Sequence, residues 1–157
     1  MTAIRRVGML GLGKMGAPMA RHLIDKGYGV CGYDPQEAAR RAVGAQALDS
    51  AAAVAQASEL VIIVVGFDHE VETVMYGPQG VMEGARAGLI VAVGSTIAPR
   101  YARQLAERAH KQSVVVLDAP LARGEAAAVA GKLVIFGGGD EAAFAACRPA
   151  PARSARW

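Results

Sequence analysis

The sequence has few of the features that mark membrane, metal-binding or disulfide-bonded proteins. Of its 157 residues only two are cysteines, Cys31 and Cys147, which lie far apart and match no metal-ligand spacing. No apolar run approaches the ~20 residues that a membrane-spanning helix requires. Four glycines within nine residues interrupt the apolar start of the chain, which disfavours a signal peptide. We therefore expect a cytoplasmic protein with no metal site and no membrane contact.

The excess of positive charge is confined to one end of the chain. The net charge is +3, but Arg148, Arg153 and Arg156 lie in the last ten residues, which contain no acid. Removing these three from the 17 Lys and Arg leaves 14, which equals the 14 Asp and Glu. Aromatic residues make up only 5% of the chain, and no basic stripe is interleaved with them. The composition therefore predicts no nucleic-acid partner.

Short apolar segments alternate with alanine-rich stretches along the chain. Continuous apolar segments such as LVIIVV are typical of strands buried on both faces of a parallel sheet. We predict strands at Val7–Leu10, Val30–Tyr33, Leu60–Val65, Leu89–Val93, Val114–Leu117 and Leu133–Phe136. The repeated β-α-β order predicts an α/β fold, a Rossmann-type doubly wound parallel sheet in a single domain. We expect this domain to span residues 1–149, followed by a disordered basic tail at residues 150–157.

The helices between these strands are predicted from apolar spacing and from residues that start or end helices. The first helix follows the initial strand and ends at Gly27. Three further helices are expected to begin at capping residues, namely Ser50 or Asp49, then Asp68, then Thr96. A helical bundle is the disfavoured alternative, because the clusters of valine and isoleucine are short and bounded by Gly, Asp and Pro.

The segment GLGKMG spells G-x-G-x-x-G directly after the first predicted strand and opens the first helix. In that context the pattern is typical of a loop that holds a pyrophosphate on backbone N–H groups. Gly11 would permit the tight turn, Gly13 would let the backbone approach the phosphates, and Gly16 would allow close packing of helix and strand. The alternative is a helix start that needs only tight packing. We predict a dinucleotide-binding loop formed by Gly11, Leu12, Gly13, Lys14, Met15 and Gly16.

Asp34 supplies the second half of this fingerprint, at the end of the second predicted strand and 21 residues after Gly13. A carboxylate there can accept hydrogen bonds from both hydroxyls of an adenosine ribose, and it would repel a 2′-phosphate. Asp34 therefore predicts NAD as the cofactor. Two alternatives stay open, since Asp34 can also cap the turn before Pro35, and the nearby Arg40 and Arg41 leave NADP as the lesser alternative.

Three segments in order resemble the β-hydroxyacid dehydrogenases, a family that includes 3-hydroxyisobutyrate dehydrogenase and the cofactor domain of 6-phosphogluconate dehydrogenase. They are GMLGLGKMGAPMARHL, GSTIAPRYARQLAERA and LDAPLARGEAAAVAGKLVIFGGGD, and the resemblance covers roughly residues 6–147. It implies NAD(P)-linked oxidation of a small 3-hydroxy acid, or reduction of the matching semialdehyde. In such enzymes the cofactor carries the redox chemistry and the protein orients the reactants.

The resemblance also assigns residues beyond the glycine motif and Asp34. Val65 and Gly66 occupy the place of a Leu-Pro pair that lines the cofactor cleft in the family. Thr96 corresponds to a threonine near the nicotinamide ribose, and its neighbour Ser95 is assigned to the substrate. Simple helix capping is the alternative role for Ser95 and Thr96.

The substrate segment departs from the family pattern. The family's Ser-Gly-Gly, which holds the substrate carboxylate, corresponds here to Ala122, Arg123 and Gly124. The serine hydroxyl is absent, and a guanidinium, whose planar fork suits a carboxylate or phosphate, is present instead. We assign Arg123 and Gly124 to substrate binding, with a solvated loop arginine as the alternative.

No catalytic residue is identified from the sequence. The family's all-α second domain carries its catalytic lysine in a G-x-x-G-x-x-x-K pattern, and none of the four lysines here stands in such a pattern. The resemblance ends near Pro151, so we expect a dinucleotide-binding domain without that second domain, truncated and incomplete as an enzyme. The alternative is a non-catalytic NAD(P)-binding module that acts through self-association or a partner chain.

A homo-oligomer is also expected. In the family the cofactor domain packs against the helices that follow it, and an apolar surface without that cover commonly becomes a contact surface. We expect this surface to include the segment Leu133–Phe136 and the residues Ala142, Ala143 and Phe144.

Overall fold

A sheet of six parallel strands forms the centre of the protein. The computed structural model describes residues 4–148, and its parallel strands are β1 Arg6–Leu10, β2 Gly29–Tyr33, β3 Gln46–Ala47, β4 Leu60–Ile63, β5 Ile90–Val93 and β6 Val115–Asp118. Their order in the sheet is β3-β2-β1-β4-β5-β6. The strand order reverses between β1 and β4, which is the arrangement of a Rossmann-type doubly wound sheet. The predicted fold class is therefore confirmed.

Helices cover both faces of the sheet. They are α1 Gly16–Asp25, α2 Glu37–Ala42, α3 Ala51–Ala57, α4 Asp68–Tyr76, α5 Val81–Gly84 and α6 Pro99–His110. After β6 the chain forms β7 Leu121–Ala122, α7 Gly124–Val129, β8 Val134–Ile135 and α8 Glu141–Cys147. Helices α3 to α6 share one apolar core with alternate residues of the strands, and α1 and α8 share the other. Because the central strands β1 and β4 bury both of their faces, their apolar runs are continuous rather than alternating.

The predicted strand Leu133–Phe136 is wrong as a member of the parallel sheet. Only Val134–Ile135 is a strand, and it pairs antiparallel with β7 in a separate two-stranded sheet. Both of its residues are half-buried, because the parallel sheet already ends at β6 and no second layer covers this segment fully. The predicted uncovered surface is also partly wrong, since Ala143 is completely buried, whereas Ala142 and Phe136, the latter at 63% exposure, are exposed.

Capping residues were only partly predicted. Ser50 does cap α3, accepting a hydrogen bond from the Ala53 N–H at 3.1 Å. Thr96 does not cap α6, which begins at Pro99 without any side-chain cap. A proline in the first turn begins a helix readily, because its φ is preset and it has no N–H to satisfy. Asp68 is likewise the first residue of α4 and not its cap.

Two further observations concern the expectations about membrane contact and metal binding. Within residues 4–148 no helix is long and apolar enough to cross a membrane. In that same range no group of three His, Cys, Asp or Glu side chains is placed to hold a metal ion. The predicted tail at residues 150–157 lies outside the described residues.

Candidate cofactor site

The carboxyl ends of four strands lie in register along one edge of the sheet. Leu10 pairs with Tyr33 on one side and with Ile63 on the other, and Ile63 pairs in turn with Val93. The loops that follow these strands therefore leave the sheet together, beside the point where the strand order reverses. In open α/β sheets this crevice is where ligands bind. The predicted cofactor residues all lie on these four loops.

The glycine loop, residues 11–16, has a backbone that only glycine allows at two of its three positions. Gly11 has a φ of +89°, and a Cβ there would lie 2.0 Å from the carbonyl oxygen of Val64. A Cβ on Gly16 would lie 1.9 Å from the carbonyl oxygen of Gly11. The close approach at Gly16 is therefore within the loop itself and not, as predicted, between helix and strand.

Gly13 differs from its two neighbours in the motif, because it is exposed and a Cβ there would meet nothing within 4 Å. The fold does not require glycine at this position, which borders open space at the start of α1. Helix α1 has no acidic residue in its first turn and no side-chain cap. The Ala17 N–H already donates to the Gly13 carbonyl oxygen at 3.0 Å, so this end of the helix offers a phosphate group the N–H groups that precede Ala17 and the positive end of the helix dipole. This cradle suits the pyrophosphate of a dinucleotide.

Asp34 joins the end of β2 to the glycine loop. Its Oδ2 accepts a hydrogen bond from the Leu12 N–H at 2.8 Å, and its Oδ1 accepts one from the Gln36 N–H at 2.8 Å. The second bond is the turn-capping role that the sequence left open, and the first is a contact with the glycine loop. A carboxylate has about four acceptor sites, so two remain for ribose hydroxyls.

The guanidinium of Arg40 lies beside the main chain of Asp34. It donates a hydrogen bond to the Asp34 carbonyl oxygen and lies 5.6 Å from the centroid of the Tyr33 ring. Arg41 instead pairs with Glu37 one turn earlier on α2. Of the two arginines considered from the sequence, the structure thus brings only Arg40 against Asp34.

Ser95 and Val65 connect the loops that follow β4 and β5. The Ser95 side chain is only 4% exposed, and its Oγ accepts a hydrogen bond from the Val65 N–H at 2.9 Å. Thr96 and Gly66, by contrast, are exposed at the edge. The structure therefore gives Ser95 a bridging contact that sequence reasoning missed, and it leaves Thr96 and Gly66 accessible to a ligand.

Arg123 and Gly124 open α7 in the left-handed backbone region, with φ of +81° and +69°. Such a conformation costs a residue other than glycine about 1–2 kcal/mol. The Lys14 ammonium lies 3.8 Å from the Glu125 carboxylate, which places the start of α7 beside the glycine loop. Arg123 is exposed. Arg123 and Gly124 thus lie at the start of a helix that contacts the glycine loop, whereas the hydroxyl of Ser95 accepts from the Val65 N–H.

Asp118 is a further carboxylate that the sequence reasoning did not assign. It ends β6 in register with Val93, and its main chain exchanges two hydrogen bonds with Gly138, at 2.9 and 2.8 Å. Partial burial raises the pKa of this carboxyl. The signal that could have identified it is its position in the LDAP segment, at the end of an apolar strand.

Comparison with known proteins gives consistent matches over most of the chain. A family model described as the NAD binding domain of 6-phosphogluconate dehydrogenase matches residues 6–156. A 2-(hydroxymethyl)glutarate dehydrogenase from Eubacterium barkeri is 37% identical over 92% of this chain and 49% of its own length. An NAD-dependent L-serine dehydrogenase from Pseudomonas aeruginosa is 35% identical over 93% of this chain and 50% of its own.

Solved structures agree with these sequence matches. A 3-hydroxyisobutyrate dehydrogenase from Mycobacterium tuberculosis, determined with L-serine, superposes with a TM-score of 0.87 at 31% identity. The superposition covers 93% of this chain and 50% of that one. The chain thus spans about half the length of the curated relatives it matches.

Proposed function

The chain belongs to the β-hydroxyacid dehydrogenase family, as an NAD-binding domain of the 6-phosphogluconate dehydrogenase type, and from this membership we propose that it serves NAD-linked oxidation of a small 3-hydroxy acid. The single observation that carries the proposal is the hydrogen bond between the Leu12 N–H and Asp34. It joins the two halves of the dinucleotide fingerprint into one surface at the strand-order reversal.

Each part of the dinucleotide corresponds to a group of residues at the carboxyl ends of the strands. Backbone N–H groups around Gly13 would hold the pyrophosphate, and Asp34 would accept hydrogen bonds from the adenosine ribose. The loops bearing Val65, Gly66 and Thr96 lie on the opposite side of the reversal and would receive the other half. When bound, NAD supplies a nicotinamide ring that accepts a hydride from the substrate.

The Asp34 carboxylate favours NAD over NADP. Two backbone N–H groups hold both of its oxygens, so the side chain is fixed where a 2′-phosphate would bring a second negative charge. Arg40, which would have to compensate, already donates to the Asp34 carbonyl oxygen. NADP therefore remains the lesser alternative.

Arg123 and Gly124 are proposed to bind the carboxylate of the substrate. A guanidinium forms strong, paired hydrogen bonds with a carboxylate, and the start of α7 lies next to the glycine loop through Lys14 and Glu125. Ser95 is proposed as a lesser contributor, since its hydroxyl already accepts from the Val65 N–H.

Calorimetric titration with NAD+, NADH, NADP+ and NADPH at one ionic strength tests the cofactor proposal. We expect NAD(H) to bind more tightly than NADP(H), since the two differ only in the group that meets Asp34. Equal or tighter binding of NADP(H) would refute the role of Asp34. Absence of binding by all four compounds would refute the proposed function.

We also propose a cytoplasmic homo-oligomer. Both cysteines are unpaired, which supports a reducing compartment. Val129 and Phe136 are 62% and 63% exposed, and they favour contact through the β7–β8 side of the molecule and not through α8. Sedimentation is expected to give a mass above one chain, and Phe136→Asp is expected to lower it. A single species of one-chain mass in the unaltered protein would overturn this proposal.

A further inference from the structure

Helices α4 and α6 are joined by a polar network on the face of the sheet opposite α1. The Oε2 of Glu72 accepts hydrogen bonds from the Tyr101 hydroxyl at 2.7 Å and from Arg108 Nη1 at 2.9 Å. Its Oε1 accepts one from Arg108 Nη2 at 2.8 Å. The guanidinium of Arg108 also covers the Tyr76 ring, with Cζ 3.7 Å from the ring centroid. We refer to Glu72, Tyr76, Tyr101 and Arg108 as the α4–α6 clamp.

The clamp is expected to fix the relative placement of α4 and α6 more than it adds to the free energy of folding. Paired hydrogen bonds between arginine and a carboxylate are directional, and those from Arg108 are the main cause that holds the pKa of Glu72 below its ordinary value. The side chains of Glu72 and Arg108 are 41% and 42% exposed. An ion pair so accessible to water contributes little to the free energy of folding. Its consequence is therefore expected in the relative placement of the two helices.

These two helices begin at the loops that line one side of the cofactor site. Glu72 lies four residues after the start of α4, about 6 Å of helical rise, and Tyr101 lies two residues after the start of α6, about 3 Å of rise. The hydrogen bond between Ser95 and Val65 joins the same two loops at the sheet. The loops are thus tied together at two levels, one at their base and one along the helices that follow.

We propose that the α4–α6 clamp sets the separation of the Val65–Gly66 and Ser95–Thr96 loops and so positions them for the nicotinamide half of the dinucleotide. The proposal rests on the proposed function, which places the adenosine at Asp34 and the other half beyond the strand-order reversal. Glu72, Tyr101 and Arg108 are positioning residues, because they act through these loops. The adenosine side is held separately by the bond between Leu12 and Asp34.

The test compares the affinities of NAD+ and ADP, because ADP has the adenosine and the diphosphate but no nicotinamide. Dissociation constants are measured by calorimetry for the unaltered chain, Glu72→Gln, Tyr101→Phe and the control Glu59→Gln. Glu59 also has a lowered pKa and accepts hydrogen bonds, from the Arg5 and Arg6 N–H groups, but it lies at the amino edge of the sheet. The Kd for NAD+ is expected to rise about three- to tenfold in Glu72→Gln and about twofold in Tyr101→Phe.

In these variants the Kd for ADP is expected to stay within about twofold, since the adenosine side has its own tie. The control is expected to alter neither affinity. Equal weakening of NAD+ and ADP would show a merely structural role and overturn the inference. So would unchanged NAD+ affinity in Tyr101→Phe, a variant that keeps the ring and the fold. If the unaltered chain binds neither ligand, the proposed function itself fails.

Discussion

The glycine loop and the α7 segment, residues 121–135, lie side by side but are held in different ways. In the glycine loop, glycine stands at each position where a side chain would collide, and main-chain bonds fix the ends, among them Gly11 N–H to Tyr33 at 3.1 Å. In the α7 segment an arginine takes the left-handed conformation, and the strands have two residues each. The glycine loop is thus shaped by a backbone that suits its glycines, while the α7 segment includes a residue other than glycine in a strained conformation.

The largest effect on stability is expected when the same glycine-to-alanine substitution is made in each of the two regions. Gly11→Ala is expected to destabilise the fold by about 3 kcal/mol or more, because the new Cβ would both strain φ and collide with the main chain at Val64. Gly124→Ala has a similar φ but open space around it, so about 1 kcal/mol is expected. Urea unfolding measures both, and equal costs would break the comparison.

Asp34→Asn tests how far the Asp34 carboxylate determines the affinity for NAD+ and the preference over NADP+. The amide retains one acceptor for the loop but loses the charge, so the Kd for NAD+ is expected to rise about tenfold and the preference over NADP+ to shrink. Asp25→Asn, at the exposed far end of α1, is the matched control. Calorimetry with both cofactors checks the result, and an unchanged NAD+ to NADP+ ratio would remove Asp34 as the determinant.

Arg123→Gly examines the strain in the α7 segment. Relief of about 1–2 kcal/mol from the left-handed conformation exceeds the roughly 0.4–1 kcal/mol by which glycine stabilises the unfolded chain. The variant is therefore expected to be more stable by about 0.5–1 kcal/mol. Ala122→Gly, one residue earlier and without a positive φ, is expected to lose stability. A loss of stability in both variants would show that Arg123 makes contacts that outweigh its strain.

The smallest effect is expected in the pH dependence of the sheet region. Hydrogen bonds from the Arg5 and Arg6 N–H groups hold the pKa of Glu59 below its ordinary value of 4.5. A lowered pKa in the folded state gives stability that is present above the ordinary value and is lost as pH falls through the folded value. Thermal melts from pH 6 downward should therefore show a steeper loss in the unaltered chain than in Glu59→Gln. Parallel curves would exclude this contribution.

The sequence predicted the backbone geometry of the glycine loop better than the fold of the α7 segment, for a physical reason. Gly11, Gly16 and Asp34 act through local backbone geometry, so their spacing along the chain reports their roles. Strand β3 was missed because its two residues are polar or small and exposed. Leu133–Phe136 was misplaced because an apolar run does not show which neighbour will cover it.

Contacts between residues that are distant in the sequence could not be predicted either. The bond between Ser95 and Val65 joins residues 30 apart in the chain, and that between Arg108 and Glu72 joins residues 36 apart. No local pattern fixes either spacing, because the first bond depends on how two loops leave the finished sheet and the second on how two helices lie on it. Their residue types alone suggested only a cap and exposed charged positions.

The central place of β1 has a consequence for the order in which the protein assembles. Of the six strands of the sheet β1 is synthesised before the others, and β2 can pair with it as soon as α1 has formed. Its second edge has no partner until β4 follows, at Leu60–Ile63. During synthesis the β1–α1–β2 unit therefore exists with an unpaired edge on β1, the kind of edge that invites pairing with another chain. The emergence of β4 both closes that edge of β1 and creates the crevice, and the unpaired edge then passes to β4 until β5 pairs with it.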